Sequence, residues 1–398
     1  MTNALALVRG RTGQLRNWIT ATALPLWSTV GFDAGQGSFQ ERLDWSGRPQ
    51  TATPRRAMVQ ARQIYVFAHA AHLGWFPEGG PIAETAMASL LRDFCGPDGA
   101  SAGFAFSVDA GGRILDPMRD AYAHAFVLFA IAWLYRLNGD NRLIAHADET
   151  IAFIDARLKD HLHGGLFDRA PVEDRSKRQN PLMHLLEAYL ALENAAPGRG
   201  YLARAGKLID IFKSRLFLAK PGVLLEYFAE DWSNHRDPLK RWVFEPGHHF
   251  EWVWLLLEYE KLSGGDLRFW IEKLGAAAKK SGFAENGLIF DELAADMSVI
   301  KGSHRIWPHT EAAKAAVAQH FLGDPEAPAF GAAMISALTD HFLDKPFAGG
   351  WIDHLSPELR PLVDYAPASS LYHLFLAATE LSRAFPLDPV EESAAASA

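Results

Sequence analysis

The sequence predicts an all-α fold, a closed toroid of six helical hairpins or (α/α)6 barrel, with short β-hairpins or loops at one rim. Three observations predict it. Apolar residues recur at steps of three and four along most of the chain, alternating β-branched runs are scarce, and a glycine-started motif returns about every 60 residues.

The periodic stretches, in chain order, are 57–73, 121–137, 181–192, 250–262, 311–321 and 370–381. Shorter amphipathic stretches at 143–158, 201–217 and 266–282 have the separation of antiparallel partners joined by short connections. Between pairs sit Gly103-Phe104-Ala105-Phe106, Gly165-Leu166-Phe167-Asp168, Gly222-Val223-Leu224-Leu225-Glu226, Gly287-Leu288-Ile289-Phe290-Asp291 and Gly350-Trp351-Ile352-Asp353. Their glycines lie 62, 57, 65 and 63 residues apart, and Gly37-Ser38-Phe39 reads as a degenerate earlier copy. Six such units fill nearly the whole chain. An open stack of repeats needs polar caps at both ends, which the terminal segments do not clearly supply, so the repeats are expected to close on themselves. Residues 1–388 are expected to form one barrel, and 389–398, acidic and then nearly all Ala and Ser, a disordered tail.

Composition limits the function. The 398 residues are 49% apolar and carry 39 basic against 47 acidic side chains, which excludes a disordered chain and the basic excess of a nucleic-acid binder. The single cysteine, Cys95, excludes an internal disulfide and a cysteine-rich zinc site. The longest apolar stretch, 121–135, contains His124 and falls short of the ~20 residues that a membrane span needs. No apolar segment of the signal-peptide kind follows Arg9, Arg11 and Arg16, so a cytoplasmic location is expected.

Polar residues interrupt the apolar helix faces with the same period. They are Arg62; Tyr122 and His124; Asn180 and His184; His248 and Glu251; Trp307 and Glu311; and His373. The steps from 62 through 122, 184, 248 and 307 to 373 are 60, 62, 64, 59 and 66 residues. Equivalent points on the inner helices of a toroid converge on its axis, so these residues are expected to form one central pocket. Asn180 and His184 share a helix face, as do His248 and Glu251. Glu251 is expected to tune the imidazole one turn away. Glu245-Pro246-Gly247 places His248 near a helix N-terminus, where the helix dipole is expected to keep its ring neutral. His249 is expected to face away from His248, and Trp254 to approach the pocket. His69, His72, His146, His161, His163, His235, His320 and His341 are read as structural or surface residues.

There is no His-Glu-x-x-His, clustered Cys/His pair, EF-hand loop, Walker loop or dinucleotide fingerprint, so neither a metal nor a nucleotide cofactor is expected.

Five segments carry a resemblance: 61–67 (Ala-Arg-Gln-Ile-Tyr-Val-Phe), 179–188 (Gln-Asn-Pro-Leu-Met-His-Leu-Leu-Glu-Ala), 245–252 (Glu-Pro-Gly-His-His-Phe-Glu-Trp), 305–312 (Arg-Ile-Trp-Pro-His-Thr-Glu-Ala) and 371–375 (Leu-Tyr-His-Leu-Phe). Together, in order and over nearly the whole chain, they resemble the N-acylglucosamine 2-epimerase superfamily, which includes mannose isomerases and cellobiose 2-epimerases. The resemblance implies an (α/α)6 barrel and cofactor-independent proton transfer at a sugar C2. It implies His248 and His373 as the acid–base pair, His184 for ring opening beside Asn180, and Arg62 on the carbonyl or enediolate oxygen. It further implies Trp307 and Trp254 as stacking platforms, with Tyr122 and Glu311 also at the sugar. Epimerases of disaccharides have a tryptophan five residues before the last histidine; Ala368 stands there, which resembles the mannose-isomerase branch. Tyr122-Ala123-His124-Ala125-Phe126 likewise replaces the usual Tyr-Asp-His-Ala-Phe. The expectation is an aldose–ketose isomerase of mannose-type sugars, with a sugar 2-epimerase as the alternative, acting as monomer or homodimer without nucleic acid or membrane.

Overall fold

The computed structural model describes residues 2–387; the expected tail lies outside them. Thirteen α-helices are described: α1 (Thr2–Trp18), α2 (Leu24–Thr29), α3 (Ala57–His72), α4 (Gly79–Cys95), α5 (Ala121–Asn138), α6 (Asn141–Phe153), α7 (Asn180–Ala195), α8 (Tyr201–Ile211), α9 (Pro246–Ser263), α10 (Arg268–Ser281), α11 (Trp307–Phe321), α12 (Ala327–Ala337) and α13 (Leu371–Ala384). Helices α3, α5, α7, α9, α11 and α13 pack each on the next, and α13 packs back on α3, closing the ring. Helices α4, α6, α8, α10 and α12 lie outside, each against the inner helix it is paired with in sequence. The N-terminal α1, packed on α13 and α12, supplies the sixth outer helix. The fold is therefore an (α/α)6 barrel.

Residue pattern decides the layer. Helix α8 buries Tyr201, Ala205, Leu208 and Ile209, a single stripe against the ring, while its charged residues face water. Helix α3 is buried from Val59 through Ala70, as a helix enclosed on all sides must be. Prolines fill the first turns of α7, α9 and α11, where a missing N–H costs nothing. Asp120 caps α5 by accepting from the Tyr122 N–H at 2.8 Å.

One rim carries a belt of short antiparallel strand pairs that join successive repeats. Arg55–Arg56 pairs with Ser107–Val108, Arg119–Asp120 with Arg169–Ala170, Lys177–Arg178 with Tyr227–Phe228, Val243–Phe244 with Glu292–Ala294, and His304–Arg305 with His354–Leu355. Arg42–Asp44 pairs with Tyr365–Pro367, bringing the first repeat against the last. The motif glycines Gly103, Gly165, Gly222 and Gly287 all have φ between +73° and +91°, which glycine adopts without strain. In the last copy the positive φ falls on Gly349 rather than Gly350.

A second repeated device ties each motif to its inner helix. The Phe104 N–H donates to His124 Nε2 at 3.0 Å, Leu224 N–H to His249 Nε2 at 3.1 Å, and Ile289 N–H to His309 Nε2 at 3.0 Å. In the degenerate first copy Gln60 does the same, accepting from Phe39 N–H at 2.7 Å and donating to Phe39 O at 2.9 Å. Each of these histidines donates Nδ1–H to the carbonyl four residues earlier. Burial holds the rings neutral, His124 and His249 near 4 and His309 near 3. His124 thus keeps the phase of the repeat without lining the centre.

Candidate active site

The inner helices direct their N-terminal turns to the belted rim. Asn180 and Trp307 open α7 and α11, Tyr122 lies in the first turn of α5, and His248 and His373 are third residues of α9 and α13. The positive ends of several helix dipoles therefore converge on one region.

Trp307 stands between the two candidate acid–base residues. Its ring is 4.9 Å from the His248 ring and 5.7 Å from the His373 ring, tilted to them by 36° and 34°. The two imidazoles are in opposite states. His248 Nδ1–H donates to Glu226 Oε1 at 2.9 Å, and Glu245 Oε2 is 3.8 Å away. Burial disfavours the cation, but the two carboxylates outweigh it and lift His248 to about 10. The helix-dipole expectation of a neutral ring is thus overturned by a nearer pair of charges. Glu226 is itself held by Gln179 Nε2 at 3.0 Å. Asn180 Nδ2 lies 3.4 Å from His248 Nε2, and its Oδ1 has no partner. Turning the amide over presents Oδ1 as acceptor to the imidazolium Nε2–H.

His373 Nδ1–H donates to Glu311 Oε1 at 2.8 Å, leaving Nε2 as a lone-pair base. Burial, then the Arg62 and Lys314 charges, hold His373 well below the ordinary imidazole range. Lys314, fully buried, lies 2.6 Å from Glu311 Oε2 and over the Trp254 ring at 4.2 Å. Burial opposes its charge, but Glu311, Glu251 and Glu187 hold Lys314 above its ordinary value. Glu251 is buried with neither carboxyl oxygen hydrogen-bonded. Burial and then Glu311 raise it well above the carboxylate range.

His184 Nδ1–H donates to Glu187 Oε2 at 3.0 Å, and the Tyr372 hydroxyl donates to the same carboxylate at 2.6 Å. Burial brings His184 down to about 4, leaving a neutral ring with a free Nε2. The Tyr122 ring meets His184 edge-on at 4.9 Å. Arg62 donates to the Tyr122 hydroxyl and to Ser369 O at 3.2 Å, and is boxed by the rings of Phe126 at 4.2 Å and Tyr372 at 4.9 Å.

The structure therefore brings together Arg62, Tyr122, Asn180, His184, His248, Glu251, Trp307, Glu311 and His373. Besides the charge of His248 and the clamp role of His124, it departs from the sequence reading at two further residues. Glu251 sits 3.8 Å from His184 and within 4.8 Å of the His373–Glu311 pair, whereas Glu226 orients His248. Trp254 does not reach the group. Two turns beyond His248 on α9, its indole donates to Glu380 Oε2 at 2.9 Å in a cavity at the other mouth of the barrel. The residues not singled out, Glu187, Glu226, Lys314 and Tyr372, carry one signal each: Glu226 closes a glycine motif, Glu187 lies one turn after His184, Lys314 one turn after Glu311, and Tyr372 precedes His373.

Three trios of potential ligand atoms lie within 4.8 Å of one another: His184, Glu187 and Glu251; Glu226, Glu245 and His248; Glu251, Glu311 and His373. In each, an imidazole Nδ1–H is donated to a carboxylate, and an ion could bind there only by displacing that proton. With those protons in place, the group can hold a neutral base, a charged acid and a fixed guanidinium around one small molecule, the requirements for moving a proton α to a carbonyl. Cys95 is buried, its thiol pushed up to about 12 by burial, and takes no part. Among the described residues no helix is long and apolar enough to cross a membrane.

Residues 37–377 match the family model of N-acylglucosamine 2-epimerase (GlcNAc 2-epimerase). A mannose-6-phosphate isomerase of Rhizobium meliloti (strain 1021) is 32% identical over 380 residues, covering 93% of this chain and 96% of the relative. A D-mannose isomerase of Thermobifida fusca is 28% identical over 370 residues, covering 87% and 88%. The cellobiose 2-epimerase of Spirochaeta thermophila DSM 6192 shares the fold, with a TM-score of 0.83 at 24% identity over 95% of this chain and 97% of that one.

Proposed function

The chain belongs to the N-acylglucosamine 2-epimerase family, a group of sugar isomerases and epimerases, and from that premise we propose that it interconverts D-mannose-type aldoses and D-fructose through a cis-enediolate. The observation that carries this reading is the split between the two imidazoles facing Trp307: His248 charged and His373 neutral. Environments that push two titrating groups apart assign the acid and the base.

The cyclic aldose stacks on Trp307. As its ring opens, His184 Nε2 takes the anomeric hydroxyl proton, the bond from C1 to the ring oxygen breaks, and the same proton passes to that oxygen, leaving the open-chain aldehyde and a neutral His184. His373 Nε2 removes the C2 proton, the C2 electron pair forms the C1–C2 double bond, and His248 delivers its Nε2 proton to O1. Arg62 and the helix N-termini hold the negative charge that develops on the oxygens. His248, now neutral, takes the O2 proton while His373 returns its proton to C1, and the ketose leaves. Return of a proton to C2 from the opposite face gives the 2-epimer instead.

Two features favour a free monosaccharide. Ala368, buried, leaves no aromatic platform for a second sugar ring. The vestibule of about 510 Å³ on the rim side is lined by Glu41, Asp116 and Asp353 as well as Arg42 and Arg56. Arg56 is already tied to Glu41 at 2.5 Å, which leaves Arg42 as the one guanidinium of this lining to set against Asp116 and Asp353, two carboxylates that repel a phosphate dianion. Chromatographic analysis of incubations with free and phosphorylated hexoses tests the reading. Fructose from mannose is the expected product; conversion of none of them defeats it, and a C2 epimer without ketose replaces isomerase by epimerase.

A further inference from the structure

The opposite mouth of the barrel holds a second cavity, of about 650 Å³, formed by the C-terminal halves of the inner helices and the end of α1. Its walls include the aromatic side chains of Trp75, Phe129, Trp133 and Trp254. Its acids are committed. Glu380 accepts from the Trp254 indole at 2.9 Å and from Arg383 at 2.5 Å, and Glu258 accepts from Lys261 at 2.6 Å and from Arg383 at 3.3 Å. Its donors are in surplus. Arg136, exposed to solvent, lies over the Trp133 ring at 4.4 Å and, among the described residues, makes no ion pair. Trp133 Nε1 and Ser382 Oγ are buried atoms with no hydrogen-bond partner. Buried donors left unpaired cost of order 1–3 kcal/mol each, so such a surplus points to an acceptor that is supplied from outside.

We propose that this cavity is a second small-molecule site, which takes a ring-bearing carboxylate: the ring lies among the tryptophans and the carboxylate meets Arg136, Trp133 Nε1 and Ser382 Oγ. The site is separate from the sugar pocket but shares a wall with it. Glu187, which accepts from His184 and Tyr372, lines the cavity, and Trp254 lies against Lys314, the countercharge of Glu311. A ligand here touches the back of the layer that fixes the histidine proton states. The inference does not depend on which sugar the other pocket turns over.

Calorimetric titration of the full chain with 4-hydroxybenzoate and with quinate tests the proposal and separates an aryl from a saturated polyhydroxylated ring. One equivalent of at least one probe is expected to bind at concentrations up to about 10 mM. Binding is expected to weaken about 10-fold or more in Arg136→Gln, an exposed position in the cavity lining, and to survive His373→Asn. Ser382→Ala, which removes one donor, weakens it less. Absence of binding of either probe, or affinity unchanged by Arg136→Gln, overturns the proposal. Melting curves of the variants confirm that each is folded.

Discussion

His248 donates to Glu226 at 2.9 Å although the two are 22 residues apart, one on α9 and the other closing the glycine motif before it. The counterpart relation, His373 to Glu311 at 2.8 Å, differs in that Lys314 already neutralises the carboxylate. One imidazole is thereby an acid and the other a base, although both donate to a glutamate through Nδ1.

The pH profile follows from this difference. The reaction needs His373 neutral and His248 protonated. The acid limb of kcat/KM therefore lies below the ordinary imidazole value of 6.5, and the alkaline limb near 10. In Glu226→Gln one of the two carboxylates that raise His248 is gone and Glu245 remains, so the alkaline limb moves towards neutrality and kcat falls about 100-fold or more. An unmoved alkaline limb in that variant assigns it to another group.

Arg62→Lys keeps the charge but loses the fork that reaches Tyr122 and Ser369. The expected result is a fall of about 100- to 1,000-fold in kcat, as for other lost oxyanion donors, with a much smaller change in KM. Melting curves separate this from a purely structural role: loss of an oxyanion contact leaves the melting temperature near the parent's, whereas a structural role lowers it together with the active fraction.

Lys314→Met leaves Glu187, Glu251 and Glu311 buried around a missing cation. Breaking such an ion pair from one side costs about 3–5 kcal/mol, to be read from denaturant unfolding. Glu311→Gln in the same chain is expected to restore part of that stability but none of the activity, because His373 keeps an altered partner.

The histidine clamps make the barrel acid-sensitive. Their folded-state pKa values are depressed, so the unfolded chain takes up protons first as pH falls through 6.5, and stability declines until the folded rings protonate near 4. One clamp accounts for about 2 kcal/mol at about pH 5. Gln60 already does this work in the first repeat without titrating. His249→Gln is therefore expected to cost little at neutral pH and to raise the melting temperature near pH 5 relative to the parent.

Much of this was legible in the sequence because a toroid repeats. The glycine spacing located the rim, and the phase of the polar residues located the stations on the inner helices. Periodicity alone was blind where two roles share one phase. His124 has the spacing of a pocket residue but points its Nε2 at a backbone amide, and Trp254 lies on the His248–Glu251 face but too far along α9. The pairing of His248 with Glu226 crosses from a helix to a rim strand and leaves no local spacing to read. The sixth outer helix was hidden for a related reason, since α1 completes a pair whose other member is at the opposite end of the chain.

Proton NMR of D-mannose incubated with the protein in D2O follows the transferred hydrogen itself. Fructose carrying deuterium at C1 in part of the product is expected, a signature of one base moving the hydrogen between neighbouring carbons, and both product and label are expected to be lost in His373→Asn. Intact mannose with undiminished C2–H intensity after prolonged incubation would contradict that transfer.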